Sequence, residues 1–348
     1  MECTLGISVD HSSNVPKYLQ LVESIIDSIR MEELRKGDRI PSINELSETH
    51  YLSRDTVEKA YKVLKERKIV IATKGKGYFI NRTSLIGKTN VCFLINKLSS
   101  YKMQIYQAMV DQLGLGAHVN LCIYHCDSQL FLNLLDKHLG AYDYYVVMPH
   151  FKDTHQQHIS SSEEIDNALS RIPPEKLIVL DNDKPRISNC LARITQDFEN
   201  DIFEALSSAS EKIKKYKKVV LVFPTKVIYP YPRRILRGFM KFCGIFDIDF
   251  EVIDAFTSET VLSRHSAYIT IEETDLVHLI KQAKQQNLKC GIDLGVISYN
   301  DTALKELLEI SVITTDFRKM GEYAAQAISG NMALCIRNPF NFIDRDSL

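Results

Sequence analysis

Apolar side chains near the start of the chain recur at the spacing of an α-helix. Six of them lie at positions i, i+3, i+4, i+7, i+8 and i+11 and would share one helix face: Tyr18, Leu21, Val22, Ile25, Ile26 and Ile29. This pattern predicts an amphipathic helix whose apolar face packs against the elements that follow.

Two further helices are predicted by the residues that would cap them. Ser42, followed three residues later by Glu45, has the spacing of a capping box, and Ser53 suits the start of a second helix. The apolar stripe of this second helix comprises Val57, Ala60, Tyr61 and Leu64. Its charged side chains fall outside the stripe, so we expect them to face solvent.

A short hairpin is predicted directly after these helices. The apolar runs IVIA and YFI flank the segment TKGKG, which places Lys74 and Lys76 at the tip of a glycine-containing loop. Helices followed by a hairpin in this order form a winged helix-turn-helix, whose second capped helix is the candidate reader of a DNA major groove. A basic hairpin tip suits phosphates or a minor groove.

From Val91 onward, short apolar runs alternate with helical patterns, which is typical of parallel sheets covered by helices. The strand-like runs are VCFLI, VNLCIY, YYVVM, KLIVLD, KVVLVFP, FEVID, AYITI, CGIDLGVISYN and VITTDF. The intervening helices are expected from about Lys102, near Leu130, and at residues 199–215, 233–243 and 275–286. Two α/β subdomains are the economical interpretation. The predicted fold class is therefore α/β, with a winged helix-turn-helix at residues 1–82, a linker at 83–90 and a two-subdomain unit at 91–348.

Charge is distributed unevenly between these units. Residues 50–82 carry nine Lys and Arg against three Asp and Glu, a balance of +6, whereas the whole chain carries −1. A solvated basic helix face would explain the charge alone. Combined with the caps and the hairpin, the cluster favours binding to duplex DNA by the N-terminal unit.

The segments IPSINELSE, LSRDTVEKAYKVL and KGKGYFI resemble the DNA-binding domain of GntR-family bacterial transcription regulators, over Pro16 to about Arg82. By this resemblance, DNA contacts are expected from Ser42, Ser53, Arg54, Thr56, Lys74 and Gly75, and the expected exposure of two further residues adds Lys59 and Lys76. Asn44 and Glu58 stand where family members often have Arg, so the base sequence is not inherited. Asp55 either accepts a hydrogen bond from cytosine N4 or orients Arg54.

The second unit is similar to periplasmic-binding-protein-like sensor domains of the lactose-repressor type. The resemblance is carried by VCFLINKLSSYKMQIYQAMVDQL, VLDND, ITQDFENDIFEAL, RRILRGF and GVISYNDTALKELLEISVITTDFRKMG. Together with the N-terminal unit, this architecture resembles the arabinose-repressor subgroup. The resemblance implies a sugar ligand held in a cleft at strand ends, by hydrogen-bonding groups and an aromatic wall.

Candidate ligand residues are transferred only where positions match. Asn300 and Asp181 match polar ligand positions, and Glu272 stands at the usual Asn position. Either Tyr101 or Met103 would supply the aromatic-type contact after the first strand. Either Arg233 or Arg234 would supply an Arg contact, although Ile235 occupies one register of that motif.

Other chemistry lacks the required motifs. The sequence contains no phosphate-binding loop, HExxH or GxSxG element. The enzyme alternative is a fusion to a pyridoxal-phosphate enzyme, which is disfavoured because it needs a longer body and a Schiff-base lysine. The cysteines are scattered along the chain, which indicates that they are reduced thiols. If residues 122–126 form a strand, His125 lies on the opposite face from Cys122 and Cys126, which disfavours a zinc site. The remaining histidines are expected in a solvated loop: His150, His155 and His158. No cofactor, metal site, signal sequence or membrane segment is predicted, so we expect a cytoplasmic protein.

These patterns predict a ligand-responsive transcription regulator, most simply a repressor of a carbohydrate-utilisation operon. The expected partners are double-stranded operator DNA, a small-molecule effector such as a sugar, and a second copy of the chain, since a homodimer matches a near-palindromic site. A body that binds no sugar and only dimerises is the alternative. The direction of the ligand's effect on DNA binding stays open.

Overall fold

The structure, a computed structural model, describes residues 7, 9–10, 15–30, 33–81, 89–182 and 189–348. Most of the predicted linker at 83–90 lies outside these residues, whereas Thr89 and Asn90 already belong to a strand. The fold class predicted from the sequence, a winged helix-turn-helix followed by a two-lobed α/β body, is confirmed.

The N-terminal unit, called the head, contains the predicted helices and hairpin. Its elements are α1 (Lys17–Arg30), β1 (Arg39–Ile40), α2 (Ile43–Thr49), α3 (Arg54–Glu66), β2 (Val70–Thr73) and β3 (Gly77–Ile80). The predicted apolar stripe of α3 is buried, and Tyr61 donates a hydrogen bond to the carbonyl of Pro41. Strand β1 pairs antiparallel with β3, so the hairpin becomes a three-stranded sheet with order β1-β3-β2.

The first lobe of the body is a six-stranded parallel sheet with helices on both faces. It begins with β4 (Thr89–Ile95), α4 (Ser100–Leu113), β5 (Ala117–Ile123), α5 (Ser128–His138), β6 (Tyr144–Val147), the short strands β7 (Phe151–Lys152) and β8 (His158–Ile159), α6 (Glu163–Leu169), β9 (Leu177–Asn182) and β10 (Ala192–Gln196). Its strand order is β16-β10-β9-β6-β4-β5, where β16 comes from the end of the chain.

The second lobe is a six-stranded sheet that is parallel except at one edge. Its elements are α7 (Phe198–Ser208), α8 (Ser210–Ile213), β11 (Lys218–Val222), α9 (Arg233–Phe246), β12 (Phe250–Ile253), β13 (Ser266–Thr270), α10 (Glu273–Gln285), β14 (Gly295–Tyr299), α11 (Ala303–Leu307) and β15 (Ser311–Thr315). The chain then returns to the first lobe with α12 (Phe317–Gly330) and β16 (Leu334–Arg337), and ends in the second lobe with β17 (Phe340–Ile343).

Three chain segments therefore cross between the lobes, after β10, β15 and β16. Hydrogen bonds connect these crossings. The amide of Asn338 donates to the carbonyl of Thr195 at 2.7 Å, and the amide of Asp316 donates to the carbonyl of Pro339 at 2.9 Å. The side chain of Gln196 also donates to Thr315. The crossings form one connected hinge.

Several elements differ from the sequence-based predictions. The predicted helix at 199–215 is two helices, α7 and α8, and the strands β10, β16 and β17 were not predicted. Strands β16 and β17 have four residues each and are only partly buried, so they lack a continuous apolar run. They are edge strands that the hinge connects to sheets built largely from earlier parts of the chain.

The head contacts the first lobe through α1. Leu19 is buried in an apolar cluster of that lobe, and the Glu23 carboxylate lies 3.1 Å from the Lys176 ammonium. Gly140, with φ of +73°, faces Leu19 so closely that a Cβ would lie 2.1 Å from its Cδ2. Within the described residues, no helix is both long and apolar enough to cross a bilayer.

Candidate functional site

The start of α3 forms the first part of an exposed polar surface on the head. Ser53 caps this helix, since its Oγ accepts from the amide of Thr56 at 3.2 Å and lies 2.8 Å from the Thr56 hydroxyl. Arg54 and Asp55 are exposed in the first turn. Because the cap fixes the entry of the helix, these two side chains project from a defined point of the surface.

The start of α2 is fixed by the predicted capping box. Ser42 Oγ accepts from the amide of Glu45 at 3.2 Å, and the Glu45 carboxylate accepts from the amide of Ser42. The backbone hydrogen bond from Ser42 lowers the pKa of the Glu45 carboxyl. The dipole at these two helix starts favours a phosphate group.

The tip of the β2–β3 hairpin is a basic turn. The amide of Lys76 donates to the carbonyl of Thr73 at 2.9 Å, and Gly75 adopts φ of +74° within this turn. A glycine suits that position because left-handed backbone is costly for other residues. Lys74 and Lys76 are both exposed and present two ammonium groups to solvent.

Lys59 differs from the other basic residues of this surface. It is exposed, but its ammonium lies 4.1 Å from the centre of the Tyr18 ring in α1. A cation–π contact therefore holds it within the head. Its predicted role toward DNA stays a prediction.

A cleft between the two lobes is the candidate ligand site. It is lined at the carboxyl ends of parallel strands, where open α/β sheets bind ligands. Residues from the first lobe and the hinge are Asn96, Lys97, Tyr101, Lys102, His150, Asp181, Gln196, Thr315 and Phe317. Residues from the second lobe are Phe198, Tyr229, Pro230, Tyr231, Pro232, Ile235, Tyr299 and Asn300.

A buried polar network occupies the first-lobe wall. Asp181 Oδ2 lies 2.8 Å from His150 Nε2 and 3.6 Å from the Lys102 ammonium, which donates to Asn96 Oδ1 at 2.7 Å. His150 Nδ1 lies 2.8 Å from His158 Nε2.

The network also sets the charge states of its members. Burial raises the pKa of the Asp181 carboxyl, but His150 and Lys102 outweigh burial and hold it below its usual value. Burial lowers the pKa of His150, so the imidazole is neutral at pH 7. The wall therefore contains a carboxylate paired with one ammonium.

Among the described residues, two buried polar side-chain atoms that line the cleft from the second lobe have no hydrogen-bond partner. They are Asn300 Oδ1 and the Tyr299 hydroxyl, and both side chains are almost fully buried. Asn300 and Asp181 also adopt left-handed backbone, with φ of +62° and +68°. Strained backbone and unsatisfied buried groups concentrate at functional sites, because a ligand can supply the missing hydrogen bonds.

The loop at 224–232, named here the tyrosine strap, carries the second-lobe aromatic wall. Its Tyr229 hydroxyl lies 2.9 Å from His125 Nδ1 of the first lobe. Its Tyr231 hydroxyl accepts from the Lys97 ammonium at 3.3 Å and donates to Glu272 Oε1 at 2.8 Å. Thr225 anchors the base of the strap, since its amide donates to Asp254 at 2.8 Å.

The structure separates the predicted ligand residues into two groups. Tyr101, Asp181 and Asn300 line the cleft. The others do not: Met103, Arg233, Arg234 and Glu272. Met103 lies on α4 two residues beyond Tyr101 and points to a different side of the helix, and Arg233 is exposed at the start of α9.

The remaining two predicted residues act behind the cleft lining. The Arg234 guanidinium donates to Asn182 Oδ1 at 3.4 Å and stacks over the Phe198 ring. The Glu272 carboxylate accepts a hydrogen bond from the Tyr231 hydroxyl. Ile235 occupies the lining position near the strap. An apolar side chain thus faces the cleft at this point, rather than the predicted Arg233 or Arg234.

The prediction of a solvated histidine loop is wrong for two of its three members. His150 is buried and His158 is half-buried, whereas His155 is exposed. His150 contacts His158, Asp181 and the Phe198 ring, which local polarity does not indicate. Asn96 and Lys97 were also missed, although their position directly after the first body strand is the same signal that selected Asp181.

The thiols near the cleft make no metal cluster in the described part of the chain. Strand β5 ends at Ile123, and His125 and Cys126 adopt left-handed backbone beyond it, so the predicted strand alternation does not extend to them. Cys126 Sγ accepts from Asn96 Nδ2 at 3.4 Å. Cys92 and Cys122 lie on neighbouring strands with 3.9 Å between their sulfurs.

Sequence comparison places the head in a known family. Residues 17–80 match the bacterial regulatory proteins of the gntR family, so they form a GntR-type helix-turn-helix domain. The chain is similar to the HTH-type transcriptional repressor YtrA of Bacillus subtilis (strain 168), with 29% identity over 105 residues, 30% of this chain and 77% of that protein. It is also similar to the HTH-type transcriptional regulator GgaR of Escherichia coli (strain K12), with 33% identity over 20% of this chain and 28% of that protein.

The body is similar in fold to solved structures of other regulators. A LacI family transcriptional regulator from Lactobacillus casei with bound sucrose matches with a TM-score of 0.58 at 12% identity, over 75% of this chain and all of that one. A periplasmic binding ribose operon repressor protein from Lactobacillus acidophilus matches with a TM-score of 0.55 at 18% identity, over 75% and 98% of the two chains. At these identities, the likeness establishes the fold of the body.

Proposed function

We propose that this protein is a ligand-responsive transcription regulator, a repressor of a carbohydrate-utilisation operon whose effector is a sugar or sugar derivative. The head at residues 1–82 would bind operator DNA, and the body at residues 91–348 would bind the effector and a second copy of the chain. The role is regulatory rather than enzymatic, and we expect it in the cytoplasm, where operator DNA lies.

The observation that carries this proposal is the interlobe cleft. Asp181 and Asn300 reach it from opposite lobes, both on left-handed backbone, and Asn300 Oδ1 has no partner among the described residues. Sugar hydroxyls need such acceptors, and a sugar ring needs apolar faces such as those of Tyr101 and Phe198. The sucrose bound to the Lactobacillus casei regulator supports the same ligand class for this fold.

The head supports the DNA-binding half of the proposal. Its capped helix starts and basic hairpin tip expose the groups that contact phosphates and base edges, and its family is a family of bacterial regulatory proteins. A single head has one α3 to offer one half-site. A homodimer would present two, and a near-palindromic operator would match its twofold symmetry.

Contacts between head and body offer a route for coupling. Helix α1 packs Leu19 into the first lobe and pairs Glu23 with Lys176. A change in the angle between lobes would alter how two first lobes, and hence two heads, are spaced in a dimer. A coupling free energy of about 1 to 3 kcal/mol suffices, and DNA would change effector affinity by the same factor.

The test combines DNA binding with a sugar panel. Fluorescence anisotropy would measure affinity of the full chain for DNA from upstream of its own and neighbouring genes, with and without each of a set of pentoses, hexoses and disaccharides. We expect one sugar to change the affinity for a specific site while leaving binding to random DNA unaltered. Sedimentation of the complex would report whether two chains bind one site.

A matched pair of variants makes this test specific to the cleft. Asn300→Gly removes the unpartnered acceptor and tolerates the left-handed backbone, so we expect DNA binding without a sugar response. Asn287→Gly makes the same change at an exposed left-handed Asn after α10, and should respond normally. A sugar response that survives in Asn300→Gly, or no response to any sugar in the unmodified chain, would refute the proposed effector site.

A further inference from the structure

Lys97 is held in the cleft by aromatic groups from both lobes. It follows β4, its residue is 9% exposed, and its ammonium lies 4.9 Å from the ring centre of Tyr231, 5.5 Å from that of Tyr229 and 5.9 Å from that of Tyr101. It donates to the Tyr231 hydroxyl at 3.3 Å. Cation–π attraction therefore fixes the charge of the first lobe against the tyrosine strap of the second.

The partners of this ammonium are neutral. Among the described residues, no carboxylate oxygen forms an ion pair with Lys97 within 4.0 Å, and Glu272 is reached only through the Tyr231 hydroxyl. Burial acts against the charge, but Tyr101 and Glu272 outweigh it and raise the pKa of Lys97, so the group remains an ammonium at pH 7. The direct partners of this charged group are aromatic rings and a hydroxyl, so an anionic group of a ligand would be its first ionic partner within the described residues.

The other charged groups lining the cleft do not compensate Lys97. Asp181 lies 3.6 Å from the Lys102 ammonium, which makes one balanced pair. The His150 imidazole is neutral at pH 7 because it is buried. Among the described lining residues, Lys97 is therefore the one ammonium group without a carboxylate within ion-pair distance.

The polar groups without partners lie elsewhere on the wall and have different chemistry. Asn300 Oδ1 accepts hydrogen bonds, and the Tyr299 hydroxyl can donate or accept. They suit the hydroxyl groups of a polyol but cannot neutralise an ammonium. The cleft thus combines a hydroxyl-binding part with one unbalanced cation.

We propose that the effector is an anionic carbohydrate, a sugar acid or a sugar phosphate, whose negative group binds Lys97 while a hydroxyl donates to Asn300 Oδ1. The inference rests on the proposed function, since it specifies the ligand of the same cleft. A neutral sugar would leave the Lys97 charge unbalanced, and a cationic amino sugar would be repelled by it. Carboxylate and phosphate share the required charge, and titration separates them.

Isothermal titration calorimetry of the full chain tests this inference. The ligands are C5 and C6 aldoses, the aldonates and uronates derived from them, and their terminal phosphates. We expect one anion to bind at least tenfold more tightly than its neutral parent. A carboxylate or phosphate that gives this preference identifies which of the two anionic groups the effector carries.

Variants at Lys97 assign the preference to this side chain. Lys97→Gln should reduce the affinity for the anion at least tenfold and leave that for the neutral parent within about twofold. Lys97→Arg keeps the charge and should retain the preference, which also controls for folding. Lys226→Gln removes an exposed positive charge from the same strap and should bind as the unmodified chain does.

Each outcome distinguishes the inference from the function on which it rests. A neutral sugar that binds more tightly than its anionic derivatives overturns the inference and leaves the sugar effector intact. An anion preference that persists in Lys97→Gln also overturns it, because another group would then carry the charge recognition. Failure of every neutral and anionic ligand to bind refutes both.

Discussion

The head surface and the interlobe cleft place similar polar groups in opposite environments. Arg54, Asp55 and Lys76 of the head are exposed, whereas Asp181 and Lys102 of the cleft are almost fully buried. An exposed group can be replaced with little effect on the fold, because water solvates whatever remains. A buried charged group also holds its partners, so the cleft joins ligand binding to stability in a way that the head does not.

The largest effect that separates the two regions is expected from Asp181→Asn. The substitution keeps shape and backbone preference but leaves Lys102 buried without its carboxylate, and breaking a buried pair destabilises by about 3 kcal/mol. Urea denaturation followed by circular dichroism would measure the loss. An unfolding free energy within about 1 kcal/mol of that of the unmodified chain would contradict the role of this pair.

Arg54→Ala should produce the converse result in the head. We expect the free energy of unfolding to stay within about 0.5 kcal/mol, since Arg54 is exposed. Binding to the operator should weaken by about 1 to 3 kcal/mol if Arg54 contacts a base edge. Urea denaturation measures the stability, and anisotropy titrations measure the affinity for operator and for random DNA. Equal losses of affinity for the two DNAs would rule out base recognition by Arg54.

Acidification provides a smaller and more specific contrast. Burial lowers the pKa of His158 well below its ordinary value of 6.5, so the unfolded chain takes up this proton first as the pH falls below about 6.5. The contribution of His158 to stability is complete above that pH and is lost on acidification, by at most about 1.4 kcal/mol per pH unit.

His158→Gln should therefore show a shallower fall of unfolding free energy between pH 6.5 and 5 than the unmodified chain. His155→Gln, at the exposed histidine of the same hairpin, should follow the unmodified chain. Asp201 changes the free energy of unfolding with pH in the opposite direction, because burial raises its pKa to about 7. It is present in all three proteins, so its contribution cancels when they are compared. Identical slopes for both variants would show that His158 does not titrate as a buried group.

The smallest effect is expected from Lys76→Ala at the hairpin tip. A phosphate contact carries no sequence information, so binding to operator and random DNA should weaken alike. In a plot of the logarithm of the binding constant against the logarithm of the salt concentration, the magnitude of the slope should fall by about 1. Lys226→Ala, a remote exposed lysine, is the control, and an unchanged salt slope for Lys76→Ala would exclude a phosphate contact.

The same contrast explains what the sequence predicts. The head surface is built from contiguous residues, since Ser53 caps the helix that presents Arg54, and a local pattern is sufficient to find it. Asp181 and Asn300 follow the rule that ligands bind at strand ends. The burial of His150 is not evident from the local sequence, because residues 152–158 are mostly polar, whereas its contacts are with His158 and with Asp181 of a strand that begins 27 residues later.

The tyrosine strap and the last strands show a second limit. Tyr229 and Tyr231 lie in a loop without periodicity, and the packing of the two lobes brings them to Lys97. Strand β16 has no continuous apolar run because it lies at an edge. Tertiary contacts between distant segments, rather than local preference, decide these positions.

The three crossings of the hinge also have a consequence for synthesis on the ribosome. The first lobe receives α12 and β16 only after all of the second lobe except β17 has been made, so its sheet stays incomplete, with the edge of β10 uncovered, while more than a hundred residues emerge. Exposed sheet edges in unfinished chains favour aggregation. The head is complete by residue 80 and can fold early, so this nascent chain would carry a finished DNA-binding unit on an unfinished body.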